Sequence, residues 1–137
     1  MRLLLVLAAL STAPALQAQP LPAWLRADAT PLTSTWVGVY DCSQGETALA
    51  LDLTGDADGG VKGSFRFGPT DGNPDVPEGS YRVTGAHYVD GRFSLLGERW
   101  ENRPPDYVMV DVEGAIGRSD RLLIVTICGN VTVLQRD

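Results

Sequence analysis

Short segments in which every second residue is hydrophobic dominate this chain of 137 residues. In residues 61–67, for example, Val61, Phe65 and Phe67 occupy alternate positions, while polar residues occupy the positions between them. This period places one face of a β-strand against a core and the other in water. Eight segments are predicted to be strands on this basis: Trp36–Tyr40, Thr47–Leu53, Val61–Phe67, Ser80–Gly85, Arg92–Leu96, Tyr107–Gly114, Leu122–Ile127 and Val131–Leu134.

The connections between these segments are too short for crossover helices. Several contain turn sequences, such as Asp58-Gly59-Gly60 and Asp90-Gly91. Consecutive strands joined by such turns pair antiparallel. The sequence therefore predicts an all-β antiparallel meander of about eight strands, most simply closed into a small barrel. A two-sheet sandwich has the same periodicity, so the pattern alone leaves both architectures open.

The first 18 residues have the three regions of a signal peptide. Arg2 gives the positive start, Leu3–Leu10 is apolar, and a small-residue cleavage site ends at Ala18. Eight apolar residues are too few to cross a bilayer, which predicts no membrane span. We expect a periplasmic or secreted product, with a Pro-rich extended lead-in at 19–33 and a single β-barrel-like domain at 34–137. The lead-in has room for one helical turn around Trp24–Ala27.

Two cysteines, Cys42 and Cys128, lie near the two ends of the predicted barrel. In an exported protein such a pair is typically oxidised, which predicts one disulfide. The bond would close a loop of 86 residue steps. In the chain-entropy model it would contribute roughly 4–5 kcal/mol to the free energy of unfolding.

Acidic residues outnumber basic ones, 17 to 11, which gives a net charge of −6 at pH 7. This balance disfavours a nucleic-acid backbone or an anionic lipid surface as the main partner. It is compatible with a basic protein partner, and equally with solubility alone. The oligomeric state does not follow from it.

The sequence contains few candidates for catalytic residues. The single histidine, His87, is predicted to be a partly exposed residue at a strand end rather than a base, because both cysteines are assigned to each other. No Gly-rich phosphate loop precedes a helix, and no cofactor is predicted. Seventeen acidic residues leave a hydrolase with paired carboxylates open as a minor hypothesis.

The segment 71–75 offers oxygen ligands at alternate positions. Asp71, Asn73 and Asp75 are weak calcium candidates, since Ca²⁺ is bound by carboxylate and amide oxygens. The same residue types are needed by any exposed turn, which is the favoured interpretation.

The segment 97–107 is interpreted as a connecting loop stiffened by a proline pair. Its candidate binding residues are Arg99, Trp100, Arg103 and Tyr107, because Trp, Tyr and Arg are enriched at binding hot spots. The alternative is that both aromatic side chains fold back to plug the barrel end while the arginines pair with neighbouring glutamates. Both interpretations stay open.

Three stretches of the chain resemble a family of small exported bacterial β-domains. They are the Trp-x-Gly-x-Tyr-x-Cys pattern at 36–42, the Arg-Pro-Pro-x-Tyr-Val-Met-Val pattern at 103–110, and the late Cys128. The resemblance extends over about residues 35–136. It implies one exported domain closed by a disulfide and carries no activity with it.

A fainter similarity, through Tyr40-Asp41-Cys42 and the Gly-Glu-Thr turn at 45–47, is to periplasmic inhibitors of C-type lysozyme. This chain is longer and lacks their Ser-Gly-rich inhibitory loop. The leading hypothesis is an exported, non-catalytic binding module of the bacterial envelope, with a wall-directed hydrolase as the candidate that it inhibits or binds. A structural or stress-related envelope domain is the alternative, and a carboxylate hydrolase comes third.

Overall fold

The computed structural model of the protein describes residues 22–137. The predicted signal peptide and residues 19–21 of the predicted lead-in lie outside that range. Eight strands form one sheet: β1 (Ser34–Cys42), β2 (Gly45–Gly55), β3 (Gly60–Gly68), β4 (Gly79–His87), β5 (Arg92–Asn102), β6 (Val112–Ile116), β7 (Leu122–Ile127) and β8 (Asn130–Arg136).

Each strand pairs antiparallel with the next, and β8 returns to pair with β1. The predicted all-β antiparallel meander is therefore confirmed, and the barrel rather than the sandwich is the observed architecture. Closure leaves no free sheet edge, which a sandwich of the same strands would have exposed.

The seam between β1 and β8 closes the barrel. Ladder pairing joins only the lower part of the two strands, at Trp36 and Val37 of β1. Further up, the Thr132 hydroxyl donates to the Val39 carbonyl oxygen over 2.7 Å. The predicted disulfide between Cys42 and Cys128 is present at the top of this seam, with a Cα–Cα distance of 5.5 Å.

The barrel has two ends that we name from the direction of β1. The upper end comprises segments 41–46, 68–79, 102–111 and 127–130. The lower end comprises segments 22–33, 55–60, 87–92, 116–122 and 136–137.

The core fills the barrel with side chains from alternate strand positions. In β7, for example, Leu123, Val125 and Ile127 are buried while Leu122 and Ile124 are exposed. Removal of apolar surface from water is the main driving force for such a core, at about 25 cal/mol per Å².

The segment before β1 closes the lower end. It contains two short 3₁₀ helices, Ala23–Leu25 and Thr30–Leu32, and the first overlaps the helical turn expected around Trp24–Ala27. Ala29 and Leu32 are fully buried, and the Trp36 indole donates to the Leu32 carbonyl oxygen over 2.9 Å. The segment therefore forms a plug beneath the barrel.

Arg136 holds this plug in place. Its guanidinium lies 4.3 Å from the centroid of the Trp36 ring. It donates to the carbonyl oxygens of Pro31, over 2.8 Å, and of Thr33, over 3.2 Å. Its Nε also donates to the backbone carbonyl oxygen of Asp120 in the β6–β7 turn. One side chain thus joins the last strand, the plug and a turn.

The prediction that His87 is partly exposed is wrong. The side chain is 5% exposed, and its Nδ1 lies 3.2 Å from the Asp28 carbonyl oxygen. The reason is the plug, which folds over the lower end of β4 and covers the ring.

The predicted end of the fifth strand, Leu96, is also wrong, because β5 continues to Asn102. Two register shifts occur where β4 meets β5, so Val83 pairs with Gly97 whereas Tyr81 pairs with Trp100. Each shift adds a residue to β5, as in a β-bulge. The added residue breaks the period-two pattern and turns the Trp100 side chain toward the interior.

The predicted strand Tyr107–Gly114 is wrong in its first half, since β6 begins at Val112. The Tyr81 hydroxyl donates to the Val110 carbonyl oxygen over 2.8 Å and accepts from the Val110 N–H over 3.1 Å. A side chain therefore occupies the backbone groups that a ladder would use. Residues 103–111 form a connection that folds back over the upper end.

Candidate functional site at the upper mouth of the barrel

A cavity of about 300 Å³ opens at the upper end of the barrel. This is the lower end of the usual range for ligand sites, roughly 300–1,000 Å³. We call it the aromatic cup after its five aromatic side chains. It is lined by Tyr40, Cys42, Ser43, Gln44, Phe65, Phe67, Tyr81, Asp106, Tyr107, Val108, Val110 and Cys128.

The floor of the aromatic cup consists of rings from inward-facing strand positions. Phe65 and Tyr81, from β3 and β4, are stacked with their centroids 4.8 Å apart and are fully buried. Tyr40 of β1 meets Phe65 edge-on at 5.5 Å. Stacked and edge-to-face pairs are the favoured arrangements of aromatic rings, so this floor is rigid.

One wall of the aromatic cup comes from the β5–β6 connection. The Tyr107 ring stacks on Phe67 with the centroids 5.3 Å apart and the planes inclined by 12°. Trp100 lies edge-on to Phe67 at 6.3 Å and to Tyr81 at 5.2 Å, behind this wall. Tyr107 itself stays half-buried.

A tight turn presents Asp106 at the rim. The Tyr107 N–H donates to the Pro104 carbonyl oxygen over 3.4 Å, and Asp106 has a φ of 65°. Proline at the second position and a positive φ at the third are features of a type II turn, where Gly or Asn is usual at the third. A carboxylate held in this backbone region costs of order 1 kcal/mol, and such strained residues cluster at functional sites.

The polar atoms of the floor are satisfied internally. Gln44 Nε2 donates to the Thr47 hydroxyl over 3.1 Å and lies 3.5 Å from the Tyr40 hydroxyl. The Tyr81 hydroxyl bonds both backbone groups of Val110, as described above. Burial raises the pKa of Tyr40 and of Tyr81 well above the ordinary phenol value. Both phenols therefore remain neutral at physiological pH.

The structure brings three of the four predicted binding residues together. The Arg103 guanidinium lies 5.6 Å from the centroid of the Trp100 ring, and its Nε donates to the Tyr107 carbonyl oxygen over 3.2 Å. Arg99, by contrast, pairs with Arg82 across the ladder and is exposed on the outer side of β5. Only Tyr107 of the four lines the aromatic cup.

The fold-back alternative is observed for the rings, but its ion pairs are not. Trp100 and Tyr107 pack against Phe67 without filling the cup. Within residues 22–137, the ion pairs are Arg66 with Asp52 and Arg92 with Asp90, so neither loop arginine is bridged to a glutamate.

The three weak calcium candidates lie in the β3–β4 connection. Asn73 Nδ2 donates to the carbonyl oxygens of Gln44, over 2.8 Å, and of Glu46, over 3.1 Å. Asn73 thus fastens this connection to the β1–β2 hairpin, while Asp71 and Asp75 are exposed. Throughout the described part of the chain, no three His, Cys, Asp or Glu side chains lie together in a way that could hold a metal ion.

Charge is distributed unequally between the two ends. The upper segments carry seven Asp or Glu residues and one arginine, Arg103. The lower segments carry six acidic and five basic residues. The opening of the aromatic cup therefore lies in a strongly negative surface, although the lower end is nearly balanced.

Sequence reasoning missed Tyr40, Gln44, Tyr81 and Asp106 as residues of one site. Alternation indicates which strand residues face inward, but it does not show which connections meet at the upper end. A partial signal was present at 104–107, because Pro105 favours the second position of a turn, although Asp106 is not the Gly or Asn that a type II turn usually has at the third.

No family model, no curated protein and no solved structure matches this chain. Among residues 22–137, no helix has the length and apolar character to cross a membrane. Within the lining given above, Asp106 supplies the single carboxylate, whereas hydrolysis by paired carboxylates needs two.

Proposed function

We propose that this protein is an exported binding module of the bacterial envelope that docks a basic protein at its upper end. A wall-directed hydrolase is the first candidate for that partner. The observation that carries the proposal is an open aromatic cavity set in the most acidic surface of a barrel whose other end is closed by its own chain.

The compartment is supported by two independent features. Residues 1–18 have the pattern of a signal peptide. The disulfide between Cys42 and Cys128 is compatible with an oxidising environment such as the periplasm. A periplasmic or secreted location would bring the protein to wall-directed enzymes.

The negative surface favours a basic partner. Complementary charges steer the encounter of two proteins and raise the association rate, mostly at low salt. Tyr107 supplies an aromatic anchor in the same place, and aromatic residues are enriched at the centres of interfaces.

Rigidity supports binding in a second way. The disulfide, the proline pair at 104–105 and the hydrogen bonds of Tyr81 to Val110 fix the upper connections before any partner arrives. A preorganised surface loses less conformational entropy when it binds.

The test measures wall hydrolysis by purified muralytic enzymes, with a C-type lysozyme first, in the presence of the oxidised protein. We expect micromolar protein to slow hydrolysis, and added salt to weaken the effect. Tyr107→Ala should reduce the inhibition at least about tenfold, as expected for a hot-spot residue.

The matched control is Val89→Ala, which removes an exposed apolar side chain from the lower end. It should leave the inhibition unchanged. The hydrolase partner is ruled out if no muralytic enzyme is slowed, and the upper docking site is ruled out if Tyr107→Ala inhibits as strongly as the unmodified protein.

A further inference from the structure

We infer that the aromatic cup receives a lysine side chain of the basic partner, with its ammonium group between the Tyr107 ring and the Asp106 carboxylate. This inference rests on the proposed function and specifies the group that the upper end recognises. Three observations carry it: the ring lining, the Asp106 carboxylate at the rim, and the absence of lysine and arginine of residues 22–137 from the lining.

The lining suits a side chain that is apolar along its length and charged at its tip. The floor and one wall are aromatic, so methylene groups entering the aromatic cup would contact Phe67 and Tyr40. The rings differ in orientation, since the Tyr40 and Phe65 planes are inclined by 77°. A cation near aromatic faces is attracted by their quadrupoles, more strongly where water is displaced.

The rim supplies the matching charge. Asp106 lines the opening. Its backbone has a positive φ that a glycine would adopt without strain. A neutral apolar ligand would gain nothing from this carboxylate. An ammonium group would gain a charge-assisted hydrogen bond there.

Within residues 22–137, no lysine or arginine lines the aromatic cup, so this part of the chain does not fill it with a cation. Arg103, the nearest candidate in the same connection, lies over Trp100 and bonds the Tyr107 backbone. At the lower end the equivalent interaction is made internally, because the Arg136 guanidinium lies over Trp36. The aromatic rings at the upper end are therefore available to a cation from a partner molecule.

The experiment compares two probes with the same four-carbon side chain, of which only one ends in an ammonium group, and titrates each into the oxidised protein by NMR. They are N-acetyl-lysine methylamide and N-acetyl-norleucine methylamide. We expect the lysine probe to bind roughly tenfold more tightly and to shift the ring resonances of Tyr107 and Phe67. Equal affinity of the two probes, or shifts confined to another surface, would overturn the inference.

Two variants separate the carboxylate from the ring. Asp106→Asn should weaken the lysine probe about threefold and leave the norleucine probe unchanged. Asp120→Asn is the matched control, since Asp120 also has a positive φ, 55°, but lies at the lower end. Tyr107→Phe should retain the full preference for lysine, and Tyr107→Leu should reduce it to the roughly threefold part that the Asp106 carboxylate supplies. A full tenfold preference kept in Tyr107→Leu would contradict a role for the ring.

Failure here and failure of the proposed function give different results. If the lysine probe binds the aromatic cup but no muralytic enzyme is slowed, the lysine site stands and the hydrolase partner is wrong. If an enzyme is slowed while the lysine probe shows no preference over norleucine, the partner docks by other contacts and the inference fails.

Discussion

The two ends of the barrel differ in how the chain covers the core. At the lower end the chain supplies its own plug, with Leu32 buried beneath the strands and Arg136 covering Trp36. At the upper end the aromatic rings of Tyr40 and Tyr107 border an open cavity, and the chain supplies only a rim.

The difference separates the part of the molecule that holds the fold from the part that can bind. A plugged end lowers the free energy of the folded state by burying apolar surface and pairing its polar atoms. At an open end, the apolar surface and polar atoms stay available to a ligand, which binds surfaces that are already held in place. If this division holds, substitutions at the lower end should mainly reduce stability and substitutions at the upper end should mainly reduce binding.

The largest expected effect comes from removing the bond beside the upper opening. Replacing Cys42 and Cys128 by serine should lower the free energy of unfolding by roughly 4 kcal/mol, because the unfolded chain regains its freedom. Urea denaturation measures the loss, and reduction of the unmodified protein is the control that should reproduce it. A loss below about 1 kcal/mol would mean that the unfolded chain is little constrained by the bond.

The next effect contrasts one residue from each end. Leu32→Ala should lower the free energy of unfolding by about 2–5 kcal/mol, since it leaves a cavity in the plug. Tyr107→Ala should cost about 1 kcal/mol, because the ring is half-buried and loses one stacking partner.

Binding of the lysine probe should show the reverse order, with Tyr107→Ala impaired and Leu32→Ala unchanged under conditions where both are folded. Equal losses of stability for the two variants, measured by urea denaturation, would remove the proposed division between the ends.

A smaller effect is expected at alkaline pH and belongs to the upper end. Burial raises the pKa of Tyr40 and of Tyr81, so the folded state keeps both phenolic protons at a pH where the unfolded chain loses them. Stability contributed by these groups is complete below about pH 10 and is lost above it, by about 1.4 kcal/mol per phenol per pH unit.

Urea denaturation between about pH 8 and pH 11 measures this loss, within the ordinary titration range of tyrosine. Tyr40→Phe should make the dependence shallower. A slope that this variant leaves unaltered would place the alkaline sensitivity elsewhere in the chain.

The smallest effect is expected in acid and belongs to the lower end. Hydrogen bonds from Thr30 lower the pKa of Asp28, and those from Arg92 lower the pKa of Asp90. Their contribution is present above the unfolded carboxyl pKa of 3.8 and is lost as pH falls through the lower folded values. Asp28→Asn should reduce this acid sensitivity in a thermal scan, and an unchanged midpoint shift would exclude Asp28 as a contributor.

Much of the fold could be predicted because its cause is local. Alternation in residues 61–67 and 80–85 identifies strands, and short Gly-containing turns identify antiparallel pairs. Cys42 and Cys128 are predicted as partners from compartment and count alone, and the structure confirms the bond.

The rest depends on contacts that no local pattern contains. The bulges in β5 end the alternation at Leu96 although the strand continues, and the Tyr81 hydroxyl takes the backbone of Val110 out of the ladder. The burial of His87 depends on a plug more than fifty residues earlier in the chain. The aromatic cup brings together three connections and the upper ends of β3 and β4, which only the closed topology makes neighbours.

The seam between β1 and β8 has a consequence for the order of assembly. Every other strand pair joins neighbours in sequence and can form early as a hairpin, whereas this pair joins the two ends of the barrel. Contacts between distant residues are slow to form because the whole intervening chain must be ordered first. We therefore expect the seam to close last, so that the upper opening is completed only when the final strand has joined the barrel.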